Sequence, residues 1–240
     1  MIMRNWLESD LEVTHGNLVE WRILTRADPK DTGKPGAILN HLVSFARATI
    51  DAECYTSAAS HDNLEEIFYV AKGGGSINVG GDQRSVRDGD VILVPPSRSH
   101  ILVNEQKEPM ELLVVLGEIP PEKRKTEANK LVVRNWRQSP IEKGHWNHLV
   151  RGLLKPADSL CGISAIIVEI EGMKACEPHS HAPGGDELWY TLEGEALHCV
   201  GQEVRRQLPG YIVPAYPSEY THAQINPTDK PVKFFYVSLY

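Results

Sequence analysis

An internal repeat constrains the fold of this 240-residue chain more than any other feature of its sequence. The tripeptide Arg-Asn-Trp occurs at residues 4–6 and recurs at residues 134–136. Further along, residues 65–73, EEIFYVAKG, match residues 186–194, DELWYTLEG. Two matches in the same order indicate that the chain contains two copies of one structural unit, each about half of its length.

Within each copy, short runs of apolar and β-branched residues alternate with turn residues such as Gly, Pro, Asn and Asp. This spacing is typical of β-strands, and the helical stretches of about 10–15 residues that separate parallel strands are not evident. We therefore predict an all-β protein with little helix, confined to the linker and to the segments around Trp6 and Trp136. The predicted domains are an N-terminal barrel at residues 1–117, a linker at 118–130 and a C-terminal barrel at 131–240.

The charge balance narrows the range of partners. The chain has a formal net charge of −7 at pH 7 and no cluster of Lys and Arg interleaved with aromatic residues, so we exclude nucleic acid. Its first residues are interrupted by charges where an export signal needs an apolar core, and no apolar run approaches the roughly 20 residues that span a membrane. We therefore expect a cytoplasmic protein with a small-molecule substrate and no membrane partner.

Three histidines and a glutamate of the second copy have the spacing of metal ligands. His179 and His181 are two positions apart, which on a β-strand places both imidazoles on one face. Glu187 follows after a glycine-containing loop, and His222 lies on a later strand. Three imidazoles and one carboxylate suit a transition metal better than Mg²⁺ or Ca²⁺. We predict one divalent transition metal per chain, with Fe or Mn favoured over Ni, Co or Zn.

The same residues lie in a pattern that resembles the two motifs of the cupin superfamily. The first motif runs Gly, His-x-His, Glu, Gly, and the second runs Gly, Pro-x-Gly, His, Asn. The second copy follows this order with Gly172, His179, His181, Glu187 and Gly194, and then Gly210, Pro217, His222 and Asn226. The resemblance implies tandem cupin barrels, each a double-stranded β-helix of jelly-roll type. It also implies that His179, His181, Glu187 and His222 bind the metal, and that the protein is a homodimer.

The first copy keeps the motif glutamate at Glu66 and the motif histidine at His100, but its His-x-His position begins with Ala59 and ends with His61. One imidazole is therefore missing. His61, Glu66 and His100 could still form a weak second site of two histidines and one carboxylate. The alternative is that the first barrel is a decayed copy, retained for folding and dimerisation.

Three residues of the second copy are candidates for a catalytic role. Glu187 could leave the metal and act as a base. His198, which replaces Ile77 of the first copy, is either a buried core histidine or a substrate contact, and Gln224 shares the inward face of His222. Histidines outside the barrel motifs are interpreted as shared structure: His15, His145 and His148.

The motifs specify the metal ligands but leave the reaction open, because the cavity walls determine which substrate binds. Four ligands on an ion that accepts six leave about two positions for a hydroxy- or oxo-acid, or for substrate and dioxygen. We favour a dioxygenase-like enzyme over an isomerase or a decarboxylase. The alternative from another class is a non-catalytic protein that binds a sugar or a small acid.

Overall fold

The computed structural model describes residues 1–126, 130–181, 183–215 and 220–240. Residues 127–129 of the predicted linker and the motif residue Pro217 lie outside the described residues. The described chain divides into two compact units, one of residues 6–135 and 156–162, the other of residues 1–5, 136–155 and 163–240. We call them the N-terminal barrel and the C-terminal barrel.

Antiparallel strands dominate both barrels, and they are numbered here in chain order. The first half of the chain forms β1 (Arg4–Asn5), β2 (Leu11–Thr14), β3 (Leu18–Arg26), β4 (Ala37–Leu39), β5 (Leu42–Ile50), β6 (Leu64–Lys72), β7 (Gly74–Val79), β8 (Asp82–Arg87), β9 (Asp90–Val94), β10 (His100–Val103) and β11 (Met110–Glu118). The second half forms β12 (Val132–Asn135), β13 (Glu142–Gly144), β14 (His148–Leu154), β15 (Ser164–Ile170), β16 (Asp186–Glu193), β17 (Ala196–Val200), β18 (Glu203–Gln207), β19 (Tyr211–Pro214), β20 (His222–Ile225) and β21 (Val232–Leu239).

Helical structure among the described residues is limited to short 3₁₀ turns at Trp6–Glu8, Pro121–Lys123, Trp136–Gln138 and Pro156–Asp158. None of these helices is long and apolar enough to cross a membrane. The prediction of an all-β protein with little helix is therefore confirmed.

The N-terminal barrel packs a large sheet against a small one. The large sheet has the order β12-β9-β6-β11-β5-β3-β2 with β4 beside β3, and the small sheet has the order β10-β7-β8. Buried apolar side chains fill the space between them, among them Phe68 on β6, Ile77 on β7 and Leu102 on β10. Alternate residues of each strand face this core, because successive side chains of a strand point to opposite faces of the sheet. Burying each such side chain stabilises the folded state by about 1.5–3 kcal/mol.

The C-terminal barrel repeats the arrangement. Its large sheet has the order β1-β19-β16-β21-β15-β14-β13, and its small sheet has the order β18-β17-β20. Trp189 and Phe234 of the large sheet pack with Ala196 and Ala223 of the small sheet. Each barrel therefore presents the inner face of a small sheet to a large one, and the motif histidines lie at the edge of that interior.

Equivalent backbone contacts show that the two barrels correspond residue by residue around the motifs. Ala59 forms an isolated antiparallel bridge with His100, and His179 forms the same bridge with His222. Glu66 lies on β6, and Glu187 lies on the equivalent strand β16. The backbone thus places Ala59 where the C-terminal barrel has His179.

The asparagine of the second motif stabilises the strand ends in both barrels. The Asn226 amide Nδ2 donates to the carbonyl oxygens of Ile170, Glu171 and Lys230, at 3.0, 3.2 and 2.7 Å. Asn104 makes the equivalent contacts with Ile50, Asp51 and Glu108. The asparagine of the second motif therefore has a structural role in both barrels.

Replacing Asn226 with alanine should lower the free energy of unfolding by about 1–3 kcal/mol, because buried carbonyl groups lose their donor. Asn226 is 1% exposed, so water cannot easily substitute for the amide. Urea unfolding measures the change. Gln202→Ala, at an exposed position of the same barrel, is the control and should have an effect within about 0.5 kcal/mol. Equal effects of the two substitutions would contradict this role.

Candidate metal centre

The fold brings the four residues predicted as metal ligands in the C-terminal barrel together. His179 and His181 precede β16, Glu187 is its second residue, and His222 begins β20. One ligand atom from each of the four lies within 4.8 Å of all the others. His181 Nε2 lies 3.2 Å from Glu187 Oε2, and His222 Nε2 lies 3.1 Å from Glu187 Oε1. This group could hold a metal ion.

The hydrogen bonds of the imidazoles leave their inner nitrogens free to bind a cation. His179 Nδ1 lies 2.7 Å from the carbonyl oxygen of Glu177, and His222 Nδ1 lies 3.4 Å from that of Tyr220. A carbonyl oxygen only accepts, so each Nδ1 donates outward and each Nε2 is the nitrogen turned toward the other members of the cluster. His222 Nε2 is buried, lies 3.1 Å from Glu187 Oε1 and has no hydrogen bond of acceptable geometry among the described residues. A cation between this nitrogen and the carboxylate would bind both.

Glu187 is held as a carboxylate by its neighbours. Trp189 Nε1 donates to its Oε1 at 2.8 Å, and the Tyr240 hydroxyl donates to its Oε2 at 2.8 Å. Burial acts to raise the pKa of Glu187, but His222, His181 and Tyr240 lower it more, to about 2. A group with so low a pKa is a poor base and a good ligand at neutral pH.

Two of the imidazoles are neutral at neutral pH. Burial lowers the pKa of His179 from 6.5 to about 4 and lowers that of His181 in the same direction. A neutral imidazole is the form that coordinates a metal, so no proton has to leave these two side chains when the ion binds.

Acidification should therefore release the ion as the pH falls through about 4, well below the ordinary histidine pKa of 6.5. Above that pH the His179 imidazole carries no competing proton, and below it protonation removes its lone pair. Metal content after equilibration at pH values of about 7, 5.5 and 3.5 tests the expectation, with the ion retained at the first two. Complete release near pH 6 would contradict it.

A cavity of about 250 Å³ adjoins three of the four residues. His179, His181 and Glu187 contribute to its lining together with apolar side chains of the large sheet and two further charged residues, Glu142 and Lys143. Its volume lies below the roughly 300–1,000 Å³ that hold drug-sized ligands. The cavity therefore fits a molecule of few non-hydrogen atoms.

The candidate catalytic residues His198 and Gln224 lie beneath this cluster. His198 is completely buried, and its Nδ1 donates to Gln207 Oε1 at 2.8 Å. Gln224 Nε2 donates to His198 Nε2 at 3.1 Å, and the Cys176 thiol donates to Gln224 Oε1 at 3.0 Å. These contacts satisfy both nitrogens of His198 and favour a positioning role. The catalytic roles of His198 and Gln224 stay predictions.

The N-terminal barrel brings its three predicted ligands together and adds one that the sequence reasoning missed. His61 Nε2 and His100 Nε2 lie 3.4 and 3.0 Å from Glu66 Oε2, and His15 Nε2 lies 3.3 Å from the same oxygen. Burial acts to raise the pKa of Glu66, but the three imidazoles hold it well below its ordinary value. In the sequence, the missing imidazole at Ala59 and the repeated histidine His15 are 44 positions apart, and their spacing does not connect them.

Comparison with known proteins supports the superfamily. Residues 47–116 match the profile of the Cupin domain. An uncharacterised protein of Methanocaldococcus jannaschii is 28% identical over 90 residues, which are 33% of this chain and 72% of that protein.

Solved structures extend the likeness to both barrels. A protein described as glyoxylate-induced, from Pseudomonas aeruginosa, aligns with a TM-score of 0.77 at 13% identity, covering 98% of this chain and 86% of that one. Lactobacillus farciminis oxalate decarboxylase in complex with formate aligns with a TM-score of 0.74 at 14% identity, covering 100% and 86%. Procruciferin, an 11S globulin of Brassica napus, aligns at 0.70 and 12%, covering 96% and 82%. Part of the N-terminal barrel therefore matches the Cupin domain model, and the chain shares the fold of these solved structures over nearly its whole length.

Proposed function

We propose that the chain is a metal-dependent enzyme that acts on a small organic acid in the C-terminal barrel. The observation that carries this proposal is the convergence of His179, His181, Glu187 and His222 within 4.8 Å of one another. The adjoining cavity supports it, because a substrate there would lie beside the ion. A transition metal with three nitrogen ligands and one oxygen ligand has about two positions left for substrate.

The cavity supports an acid of few carbon atoms as the substrate. Its volume of about 250 Å³ suits a small ligand, and Lys143, which lines it together with Glu142, would supply a positive charge for a carboxylate. One protein of similar fold is an oxalate decarboxylase in complex with formate, which is itself a small acid. We therefore place a hydroxy- or oxo-acid, or a similar small acid, in this cavity.

Side chains of the barrel would hold the reacting centre in one geometry. A bound Fe or Mn ion would polarise the substrate and accept a second small ligand. Glu187 stays ionised and oriented because Trp189 and Tyr240 donate to its two oxygens. Tyr236 and Trp189 line the cavity and limit the access of water.

The reaction we favour is dioxygenase-like: His179, His181, Glu187 and His222 would hold the ion, which would supply redox chemistry to the acid in the cavity. Decarboxylation is the second candidate, because oxalate decarboxylases share this fold. Protein loaded with Fe²⁺ or Mn²⁺ and offered a series of small hydroxy- and oxo-acids distinguishes the two reactions. Oxygen uptake indicates the first, and release of carbon dioxide without oxygen uptake indicates the second.

A chain that binds an acid by calorimetry but turns over none of the series would be the non-catalytic binding protein instead. The homodimer and the cytoplasmic location also stay proposals. Light scattering on the purified protein measures the mass in solution, and a monomer at micromolar concentration would contradict the homodimer.

A further inference from the structure

We propose that the N-terminal barrel holds a second divalent transition metal, with His15 as a ligand in place of the imidazole that is missing at Ala59. His15, Glu66 and His100 each offer a ligand atom within 4.8 Å of the other two, and His61, whose Nε2 lies 3.4 Å from Glu66 Oε2, is the fourth ligand. His15 lies outside both cupin motifs, in the turn between β2 and β3. The N-terminal barrel would then have three imidazoles and one carboxylate, the same ligand set as the C-terminal barrel.

The geometry of the four side chains carries this proposal. Nε2 atoms of three histidines converge on one oxygen, Glu66 Oε2, at 3.0–3.4 Å. All four atoms are buried, and none has a hydrogen-bond partner of acceptable geometry in the part of the chain that is described. Unpaired buried polar atoms cost about 1–3 kcal/mol each, so four of them at one point indicate a missing group.

The outer hydrogen bonds favour a cation as this group, because they leave the Nε2 atoms directed at the cluster. Thr14 Oγ1 donates to Glu20 Oε1 at 2.6 Å, so toward His15 Nδ1, 3.0 Å away, it accepts. His100 Nδ1 lies 3.3 Å from the carbonyl oxygen of Arg98, which also only accepts. Each ring therefore uses Nδ1 outward and turns Nε2 toward the carboxylate oxygen. A single proton pairs one nitrogen with that oxygen, whereas a metal ion binds all of them.

The turn that presents His15 is anchored in the same way in both barrels, but its histidine has a different position relative to the ligands. The backbone NH of Ser57 donates to the His15 carbonyl oxygen, and that of Glu177 donates to the His145 carbonyl oxygen at 3.1 Å. In the C-terminal barrel His179 occupies the ligand position, and the His145 ring stacks on it with centroids 3.8 Å apart. In the N-terminal barrel the equivalent residue is Ala59, whose small side chain leaves the ligand position open to His15.

The backbone conformation of the turn supplies a matched pair of substitutions. His15 and His145 both have positive φ, of 46° and 36°. Asparagine adopts this conformation readily, so His15→Asn and His145→Asn should both preserve the turn. The shorter side chain of asparagine cannot reach Glu66. His61 is 31% exposed and lines a cavity of about 530 Å³, so added metal has access to the site.

The experiment measures cobalt bound per chain after loading with excess Co²⁺ and removal of free metal by gel filtration. The wild-type chain should hold two ions, His15→Asn one and His145→Asn two. His181→Ala should hold one ion, and the double variant His15→Asn with His181→Ala none. Circular dichroism melting shows whether each variant is folded. If His15→Asn is not folded, Glu66→Gln, in which the side chain keeps nearly the same size, replaces it as the test.

Two ions on His15→Asn, or no ion left on His181→Ala, would overturn the proposal. If His181→Ala retains no ion, the cluster of His15, His61, Glu66 and His100 binds protons and no metal. Anomalous scattering from Co²⁺-loaded wild-type crystals gives the same answer without a substitution, through a peak among His15, His61, Glu66 and His100. Because no catalytic activity is read out, failure here leaves the proposed function of the C-terminal barrel unaffected.

Discussion

Replacing Glu187 with glutamine should remove one metal ion per chain and reduce activity by a factor of at least ~100. Loss of a residue that only orients a ligand costs about 10–100-fold in metal affinity or activity, and Glu187 would be a ligand itself. Its side chain contacts both His181 and His222, and it is 1% exposed. Glutamine keeps the volume and removes the charge, so the effect reports on the carboxylate.

The control for this substitution lies on the same strand. Glu193 is an exposed residue of β16 that pairs with Lys233 at 3.0 Å. Glu193→Gln should leave metal content and turnover at the wild-type level, because exposed ion pairs contribute little. Metal content by elemental analysis and turnover of the acid identified in the screen are the two measurements. A Glu187→Gln variant with full metal content and full activity would show that the ion is bound elsewhere.

Replacing Glu65 with alanine should destabilise the N-terminal barrel by about 3 kcal/mol, because a buried carboxylate that accepts several hydrogen bonds is lost. Glu65 is 1% exposed. The Ser159 hydroxyl donates to it at 2.6 Å, and the backbone NH groups of Leu160 and Cys161 donate at 2.8 and 2.9 Å. Those donors lie in residues 156–162, which belong to this barrel.

Thermal unfolding followed by circular dichroism and urea titration measure this loss. Glu122→Ala, at an exposed position of the same barrel, is the control and should shift the free energy of unfolding by less than about 0.5 kcal/mol. If Glu65→Ala behaved like the control, the three hydrogen bonds would contribute nothing to stability, and residues 156–162 would have to be held by other contacts.

The architecture and the C-terminal cluster could be predicted because they depend on regular spacing. The repeat located two copies, and strand periodicity placed His179 and His181 on one face. The order of Glu187 and His222 in the cupin motifs then placed all four around one point. Each of these inferences uses residues whose positions are set by local strand geometry.

His15 could not be predicted as a member of the N-terminal cluster, because its position depends on long-range contacts. The turn that carries it is held against residues about 40 positions away, through Asn17 Nδ2, which donates to the Tyr55 carbonyl oxygen, and through the Ser57 NH. Its counterpart His145 occupies the same turn and stacks on a ligand. Repetition of a histidine therefore indicated shared structure correctly but did not reveal its different contacts in the two barrels.

The role of His198 could not be predicted for a similar reason. The alternation of β17 showed that this side chain faces the interior, but it did not show which groups lie opposite. Its partners Gln207 and Gln224 come from the two strands that flank β17. Burial lowers the pKa of His198 to about 4, although the hydrogen bond with Gln207 acts to raise it, so the ring is neutral at pH 7.

Anomalous diffraction from crystals loaded with Mn²⁺ or Fe²⁺ tests whether the C-terminal barrel binds a metal ion through His179, His181, Glu187 and His222. The predicted result is a peak in the C-terminal barrel within about 2.0–2.3 Å of the Nε2 atoms of His179, His181 and His222 and of a Glu187 oxygen. Absence of a peak at that point, in crystals of protein that is still active, would contradict the claim.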